Sequence, residues 1–162
     1  MLKNLNKNLL VKVETKEDEN FLFKLFSSTR EDELSFHNIL PKEKKIFLMQ
    51  QFNARQKDFK IRYEDANFFI IKHKEKDVGR IVYKIAQKIQ LIDIALISKS
   101  RNKGFGTYLI QTLMKKALET NLELHLSVAT NNPKAFKLYR SLGFKIISQD
   151  MMYIQMAFNK NS

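Results

Sequence analysis

NPKAFKLYRSLGF, residues 132–144, carries the signals of a complete short helix. Asn132 can cap the start of this helix, Pro133 suits its first position, and Gly143 suits its exit. Tyr139 lies within the same stretch, where its ring can pack with neighbouring apolar side chains. The pattern predicts a helix that begins at Asn132 and ends at Gly143, with a strand after it.

A second stretch, RNKGFGTYLIQTLM at residues 101–114, holds two of the four glycines of the chain. Gly104 and Gly106 stand ahead of an amphipathic, helix-like run. The first turn of a helix presents unpaired N–H groups at the positive end of its dipole, and glycine lets an anion approach them closely. Arg101 and Lys103 add positive charge. The stretch is either a phosphate-binding loop or an ordinary turn between a strand and a helix.

Two common phosphate-binding motifs do not fit these letters. A P-loop needs a Lys and then a Ser or Thr after its last glycine, whereas Gly106 is followed by Thr107 and Tyr108. A Rossmann fingerprint needs a third small residue where this chain has Leu109, and it belongs to the first strand of its domain. Both motifs are therefore excluded.

The remaining elements follow from hydrophobic periodicity. We expect strands over residues 9–15, 67–73, 78–85, 89–97, 122–130, 144–148 and 151–158. We expect helices over 17–29, 42–59, 104–120 and 132–143. In the second helix, Ile46, Met49 and either Phe47 or Gln50 are expected to face inward. The fold class is α/β: a single domain over 1–162, with its core at about 9–158, in which helices cover both faces of a mixed central sheet in the order β-α-α-β-β-β-α-β-α-β-β.

The composition limits the chemistry that the chain can perform. It has 162 residues, no Cys and three His, so a cysteine nucleophile is excluded and we expect no metal site. No apolar run approaches the length of a signal peptide core or a membrane span, which predicts a cytoplasmic protein that binds no membrane. The net charge of +12 leaves nucleic acid open as a partner, although the cations are dispersed along the chain.

Together the two stretches read R-x-x-G-x-G and, about 25 residues later, N-x-x-A-x-x-L-Y-x-x-L-G-F. In both motifs, and in the expected order of elements, the chain resembles the GCN5-related N-acetyltransferase (GNAT) superfamily. The resemblance covers residues 9–158. It implies the acyl-CoA N-acyltransferase fold and acetyl-CoA as cofactor. The oligomeric state is open between a monomer and a homodimer.

The resemblance also implies where the cofactor binds. The pantetheine arm would pair with the splayed end of the fourth expected strand, and the pyrophosphate would meet N–H groups of the glycine loop. The cofactor-binding residues are then Ala95, Leu96, Ile97, Arg101, Asn102, Lys103, Gly104, Phe105, Gly106, Thr107, Asn132 and Ala135. For Asn132, helix capping is a second role that is compatible with cofactor binding.

The resemblance makes Tyr139 the general acid that protonates the leaving thiolate, whereas spacing alone favours a packing role. Asp93 stands alone in the apolar strand LIDIALI, on the same face as Ala95 if the strand is regular. Burial there would raise the pKa of Asp93, as a general base for an ammonium substrate requires. The alternative is a structural Asp93 paired with Arg80 or another cation.

The cluster Arg30-Glu31-Asp32-Glu33 falls where the superfamily builds its acceptor site, so Arg30, Glu31 and Glu33 are candidate substrate-binding residues. The alternative is a polar helix terminus. We expect an N-acetyltransferase that moves the acetyl group of acetyl-CoA to an amine of a small molecule or a protein, by direct attack in a ternary complex. The alternatives are an acetyltransferase for an amine linked to nucleic acid, such as aminoacyl-tRNA, and a CoA-binding module without catalysis.

Overall fold

The computed structural model describes residues 4–6, 9–33 and 38–160 of the chain. Its helices are α1 (Glu19–Glu33), α2 (Pro41–Arg62), α3 (Phe105–Thr120) and α4 (Pro133–Ser141). Its strands are β1 (Asn4–Asn6), β2 (Leu9–Val13), β3 (Asn67–His73), β4 (Lys76–Ile85), β5 (Ile89–Leu96), β6 (Leu124–Ala129), β7 (Lys145–Gln149) and β8 (Tyr153–Phe158). The expected order of elements is confirmed, and β1 is a short addition at its start.

One mixed sheet joins all of the described strands, in the spatial order β1-β2-β3-β4-β5-β6-β8-β7. Within it, β5 and β6 are parallel neighbours, and α3 forms the crossover between them. The β3–β4 pair is a hairpin whose turn residues Lys74 and Glu75 both have positive φ, as a tight hairpin turn requires. No helix in the described ranges is long and apolar enough to cross a membrane.

The helices cover both faces of the sheet. On one face, Leu109, Leu113 and Ala117 of α3 are almost fully buried, in a core that also includes Tyr139 of α4. On the other face, α1 and α2 bury Leu22, Phe26, Leu48 and Phe52 against Ile70 of β3. The two layers place the N-terminal helices opposite the helices that carry the two quoted stretches.

The inward face of α2 differs from the expectation. Leu48 and Phe52 are 3% exposed, whereas Ile46, Phe47 and Met49 are at least 36% exposed. Gln50 is exposed as well. The run IFLM is apolar all round the helix, so it defines no single face. Leu48 and Phe52, which lie one helical turn apart, decide which side of α2 faces the sheet.

A bulge in β5 opens the sheet at its centre. Val82 of β4 pairs with Asp93, but the next residue Tyr83 pairs with Leu91, so Ile92 is an extra residue. A bulge bends its strand and changes which side chains share a face. On the other side, β5 pairs with β6 only over residues 89–91. Among the described residues, 92–96 therefore form a strand edge with no neighbour on the β6 side.

Candidate functional site

The split between β5 and β6 contains a cavity. Its walls come from β5, from β6 and from α4, and its lining residues are Leu91, Ile92, Asp93, Ile94, Leu126, Ser127, Val128, Ala129, Asn132, Ala135 and Tyr139. The bulge places Asp93 on the α1–α2 face through its pairing with Val82. Tyr139 belongs to the core of the opposite face, so the cavity passes through the sheet and joins the two sides.

The glycine loop begins where β5 ends. Asn102 and Gly104 both have positive φ, 58° and 79°, which turns the chain sharply into α3. The first intrahelical hydrogen bond runs from the Tyr108 N–H to the Gly104 carbonyl, 2.9 Å. The N–H groups of the preceding three residues, Phe105, Gly106 and Thr107, therefore have no acceptor within the helix and remain able to bind an anion.

The two glycines of the loop differ in what the fold requires of them. Gly104 needs its positive φ, which an L side chain adopts only with strain. Gly106 has no such requirement, because a Cβ built there would meet only a Leu96 methyl group at 4.0 Å. Glycine costs helix stability relative to alanine by about 0.5–1 kcal/mol. Packing within the described residues gives no reason for Gly106, whereas close approach by a ligand does.

The cationic side chains of the loop have distinct positions. The Arg101 guanidinium turns back, since its Nε donates to the Leu96 carbonyl at 2.8 Å and Nη2 lies 3.4 Å from the Ser28 hydroxyl. Arg101 thus fastens the loop to the end of β5. Lys103 is exposed. The Lys134 ammonium donates to Asn102 Oδ1 at 2.6 Å, which links the loop to the first turn of α4.

Asn132 performs the capping role expected from the sequence. Its Oδ1 accepts a hydrogen bond from the Ala135 N–H at 3.1 Å, and Pro133 follows at the first helical position. Asn132 and Ala135 also line the cavity, so the start of α4 forms part of its wall. Of the other predicted cofactor residues, Ala95 and Leu96 lie on the open edge of β5, and Ile97 follows that strand.

Tyr139 is 8% exposed and packs on Phe144, with ring centroids 5.9 Å apart, so the packing role is also real. None of the described residues gives its hydroxyl a hydrogen-bond partner. Burial raises the pKa of Tyr139, and the negative charge of Asp93 raises it further. The hydroxyl therefore holds its proton and has a free donor at the cavity.

Asp93 has a cation as its partner, but that cation is Arg55 and not Arg80. Arg55 Nη2 lies 3.3 Å from Asp93 Oδ1, and the Asp93 side chain is 18% exposed. Burial raises the pKa of Asp93, against the opposing effects of the Arg55 and Arg80 charges. A carboxyl group with a raised pKa beside a cavity suits the removal of a proton from an ammonium group near neutral pH.

Arg80 belongs to a separate buried ion pair with Glu14, whose side chains are 6% and 8% exposed. Arg80 Nε lies 2.8 Å from Glu14 Oε2, and Nη1 donates to Gln56 at 3.2 Å. The guanidinium also lies over the Phe68 ring, 5.2 Å from its centroid. Burial raises the pKa of Glu14 in spite of Arg80. A second charged pair therefore lies close to Asp93 on this face.

The predicted acceptor cluster is only partly described. Arg30 donates to Gln51 Oε1 at 2.9 Å and lies over the Phe26 ring, and Glu31 forms an ion pair with Lys44 at 2.7 Å. The side chain of Glu33 lies outside the described part of the chain. The substrate-binding role of this cluster therefore stays a prediction.

Two further residues shape the site and carry no sequence signal of their own. Arg55 lies 38 residues before its partner Asp93, in a part of α2 whose sequence has no distinguishing motif. Gly79 lies in β4, where a built Cβ would meet the Ala95 carbonyl oxygen at 2.3 Å and Leu96 Cδ2 at 2.7 Å. Glycine at this position lets β4 pair tightly with residues 95 and 96 of β5, whose opposite edge is the open one.

Comparisons with known proteins agree with this geometry. The sequence model of the acetyltransferase (GNAT) family matches residues 27–144. An N-alpha-acetyltransferase of Sulfurisphaera tokodaii is 31% identical over 96 residues, which cover 50% of this chain and 58% of that protein. The match thus spans little more than half of the length of that relative.

Solved structures resemble the whole fold. The PaiA N-acetyltransferase of Thermoplasma acidophilum, in complex with coenzyme A, superposes with a TM-score of 0.69 at 19% identity, over 93% of this chain and 98% of that one. The spermidine N-acetyltransferase of Vibrio cholerae, in complex with CoA and spermine, gives a TM-score of 0.62 at 21% identity, over 96% and 98% of the two chains. At these identities the likeness concerns the fold.

Proposed function

The chain belongs to the acetyltransferase (GNAT) family, and from this premise we propose that it transfers the acetyl group of acetyl-CoA to a primary amine. The observation that carries the proposal is the cavity through the sheet. It brings Asp93 and Tyr139 to one space, beside an open strand edge that leads into the glycine loop. A proton acceptor, a proton donor and a groove for an extended cofactor are therefore adjacent.

The residues present fit the cofactor that the family uses. The N–H groups at the start of α3 that have no acceptor within the helix suit a pyrophosphate, and the missing side chain of Gly106 leaves room for it. The open edge of β5 offers backbone donors and acceptors to an amide-containing arm, in the way that an added strand binds a sheet. Acetyl-CoA supplies the thioester whose C–S bond breaks as the new C–N bond forms.

Asp93 is the group that takes the proton from the acceptor. An amine attacks only when it is neutral, so its ammonium form must first lose a proton. The buried carboxylate lies at the cavity, on the side of α1 and α2, and its raised pKa favours proton uptake. The Arg55 charge opposes this effect and lowers the pKa of Asp93, which favours the ionised carboxylate that can accept a proton.

Tyr139 is the group that returns a proton to the leaving sulfur. Its pKa is raised, so the hydroxyl is protonated at neutral pH and able to donate. Its position across the cavity from Asp93 separates the donor from the acceptor of protons. Overall, the ammonium nitrogen loses two protons: the first passes to Asp93 before attack, and the second leaves the nitrogen of the tetrahedral adduct to solvent as the C–S bond breaks. Tyr139 gives its proton to the thiolate, after which solvent returns a proton to Tyr139 and takes one from Asp93.

A thiol-release assay with acetyl-CoA and a panel of amines tests the proposal, with mass spectrometry to identify the acetylated product. We expect at least one class of primary amine to release CoA thiol in equal amounts with N-acetyl product. The proposal is wrong if the protein binds CoA and acetylates no amine across the panel. That result would favour a CoA-binding module without catalysis.

A further inference from the structure

We propose that the acceptor is an amine that carries a carboxylate only a few bonds from its nitrogen, and that Arg55 recognises this carboxylate. The inference rests on the proposed function, since it concerns the acceptor side of the same site. It identifies the substrate class as a free α-amino acid or a peptide whose first residue is acidic. A polyamine is the opposite class.

Arg55 lies beside Asp93, which lines the cavity, and two aromatic rings support its side chain. Its guanidinium carbon lies 5.0 Å from the centroid of Phe59 and 5.9 Å from that of Phe26. Cation–π contacts of this kind restrain the guanidinium, and N–H groups that point away from the rings can still bind a ligand. The side chain remains 40% exposed, so a solute can reach it.

The contact with Asp93 uses a small part of the hydrogen-bonding capacity of Arg55. The guanidinium has five N–H donors, and the bond to Asp93 Oδ1 involves Nη2 alone. The long 3.3 Å separation is typical of a weak, single contact. A carboxylate of a ligand would instead meet two parallel N–H groups, which is the stronger arrangement.

The charges around Arg55 favour an anionic group over a second cation. Arg30 lies over the same Phe26 ring, at 5.9 Å from its centroid, and Arg80 lies over the Phe59 ring that also supports Arg55. Glu14 is paired with Arg80, and Asp93 is the carboxylate that faces the cavity. A ligand with several ammonium groups would meet the guanidinium groups of Arg30 and Arg55 on this side, while the buried Arg80 is balanced by Glu14.

The distances also limit the length of the acceptor. Asp93 Oδ1 and Arg55 Nη2 are 3.3 Å apart. A nitrogen within hydrogen-bond reach of Asp93, at about 3 Å, therefore lies near enough to Arg55 for an α- or β-carboxylate of the same molecule to contact the guanidinium. This spacing matches an amino acid or an acidic N-terminal residue.

Matched acceptors in the thiol-release assay distinguish the two sources of the carboxylate. The first pair is L-alanine and L-alaninamide, which differ in the α-carboxylate. The second pair is the tripeptide amides Asp-Ala-Ala and Asn-Ala-Ala, which differ in the side-chain carboxylate, and spermidine represents polyamines. Rates are measured between pH 7 and 10 so that kcat/KM can be corrected for ionisation of each amine.

We expect one of the two pairs to favour its carboxylate member by about 10- to 100-fold in kcat/KM, as a charged hydrogen bond at a half-buried site provides. Preference for L-alanine identifies free amino acids, and preference for the Asp peptide identifies acidic N-termini. In Arg55→Met this ratio should fall to about one. Arg55→Lys, which keeps the charge but loses the planar pair of donors, should give an intermediate ratio.

Arg62→Met is the control, because Arg62 lies on the same helix, is 63% exposed and pairs only with Asp58 among the described residues. It should keep the ratio of the unmodified protein. The inference is overturned if amines are acetylated with no carboxylate preference, if Arg55→Met keeps the preference while remaining folded, or if spermidine is the best acceptor. If no amine is acetylated at all, the proposed function itself fails.

Discussion

The two ends of the site are built in different ways. At the proposed cofactor end, the groups available for binding are backbone N–H donors at the start of α3 and along the open edge of β5. At the proposed acceptor end they are side chains, Asp93, Arg55 and Tyr139, which come from β5, α2 and α4. The first end rests on local conformation, and the second rests on tertiary packing between distant segments.

This difference has a physical consequence for what each end tolerates. A backbone-built site depends on φ angles and on empty space, so added atoms damage it more than lost charges do. A side-chain site that holds a carboxylate of raised pKa depends on burial and on neighbouring charge. Substitutions should therefore separate cofactor binding from turnover, according to which end they change.

The largest effect that we expect comes from replacing Asp93, the proposed base. Asp93→Asn keeps the shape of the side chain but cannot accept a proton, so kcat/KM should fall by about 10²- to 10⁴-fold. The CoA dissociation constant, measured by calorimetry, should change by less than about threefold, because the charge lies at the acceptor end. A variant that keeps its kcat/KM would contradict the role of Asp93 as the base. A variant that loses kcat/KM and CoA affinity together would contradict the separation of the two ends.

A smaller effect is expected in the strand that supports the open edge. In Gly79→Ala the new Cβ would lie 2.3 Å from the Ala95 carbonyl oxygen. This clash is relieved only if the backbone of β4 or of β5 shifts. The free energy of unfolding should fall by about 1–3 kcal/mol, and CoA binding should weaken because the edge of β5 moves. Chemical denaturation and calorimetry measure the two quantities. Unchanged stability would show that the close approach is not required.

Gly106→Ala is the matched substitution at the proposed cofactor loop. Unlike Gly79→Ala, it should raise the free energy of unfolding while it weakens CoA binding. Alanine has room there and is the better helix former, so the free energy of unfolding should rise by about 0.5–1 kcal/mol. CoA affinity should nevertheless fall, because the added methyl group occupies the side from which the pyrophosphate approaches. A variant that is more stable and binds CoA as before would contradict the assignment of this loop.

The smallest expected effect is a dependence of stability on pH. Because the folded state raises the pKa of Asp93 above its ordinary value of 3.8, the favourable contribution of this group is complete below that value. It is lost as pH rises through the raised pKa. Urea denaturation at pH 4 and pH 8 should thus show Asp93→Asn gaining stability relative to the unmodified protein at the higher pH. If Asp93→Asn instead gained stability at pH 4, the pKa of Asp93 would be lowered and not raised in the folded state.

The same contrast explains what could be predicted from the sequence. Asn132, Pro133 and Gly143 marked the ends of a helix, and the structure has the cap bond to the Ala135 N–H and φ of 94° at Gly143. Capping and turn preferences depend on a few neighbouring residues, so they can be predicted from the local sequence. The glycine loop was predictable for the same reason.

The acceptor end was predictable only in part. Asp93 was conspicuous in an apolar strand, but its partner Arg55 is far away in sequence and looks like any other surface cation on a helix. The bulge at Ile92 also has no local signature, although it decides that Leu91 and Asp93 face opposite sides of the sheet. Such features depend on register and on packing between distant segments. The prediction of which side of α2 is buried was wrong for a related reason, because the run IFLM has no polar face that would mark the exposed side.

Tyr139→Phe tests most directly the claim that the cavity through the sheet is a catalytic site with a proton donor on one side. The substitution keeps the ring that packs on Phe144, so the fold and CoA affinity should be retained. Single-turnover acetyl transfer should slow by about 10²-fold or more, because the leaving thiolate loses its acid. Transfer at the full rate, in a folded variant that binds CoA normally, would contradict the role of Tyr139 and with it the mechanism.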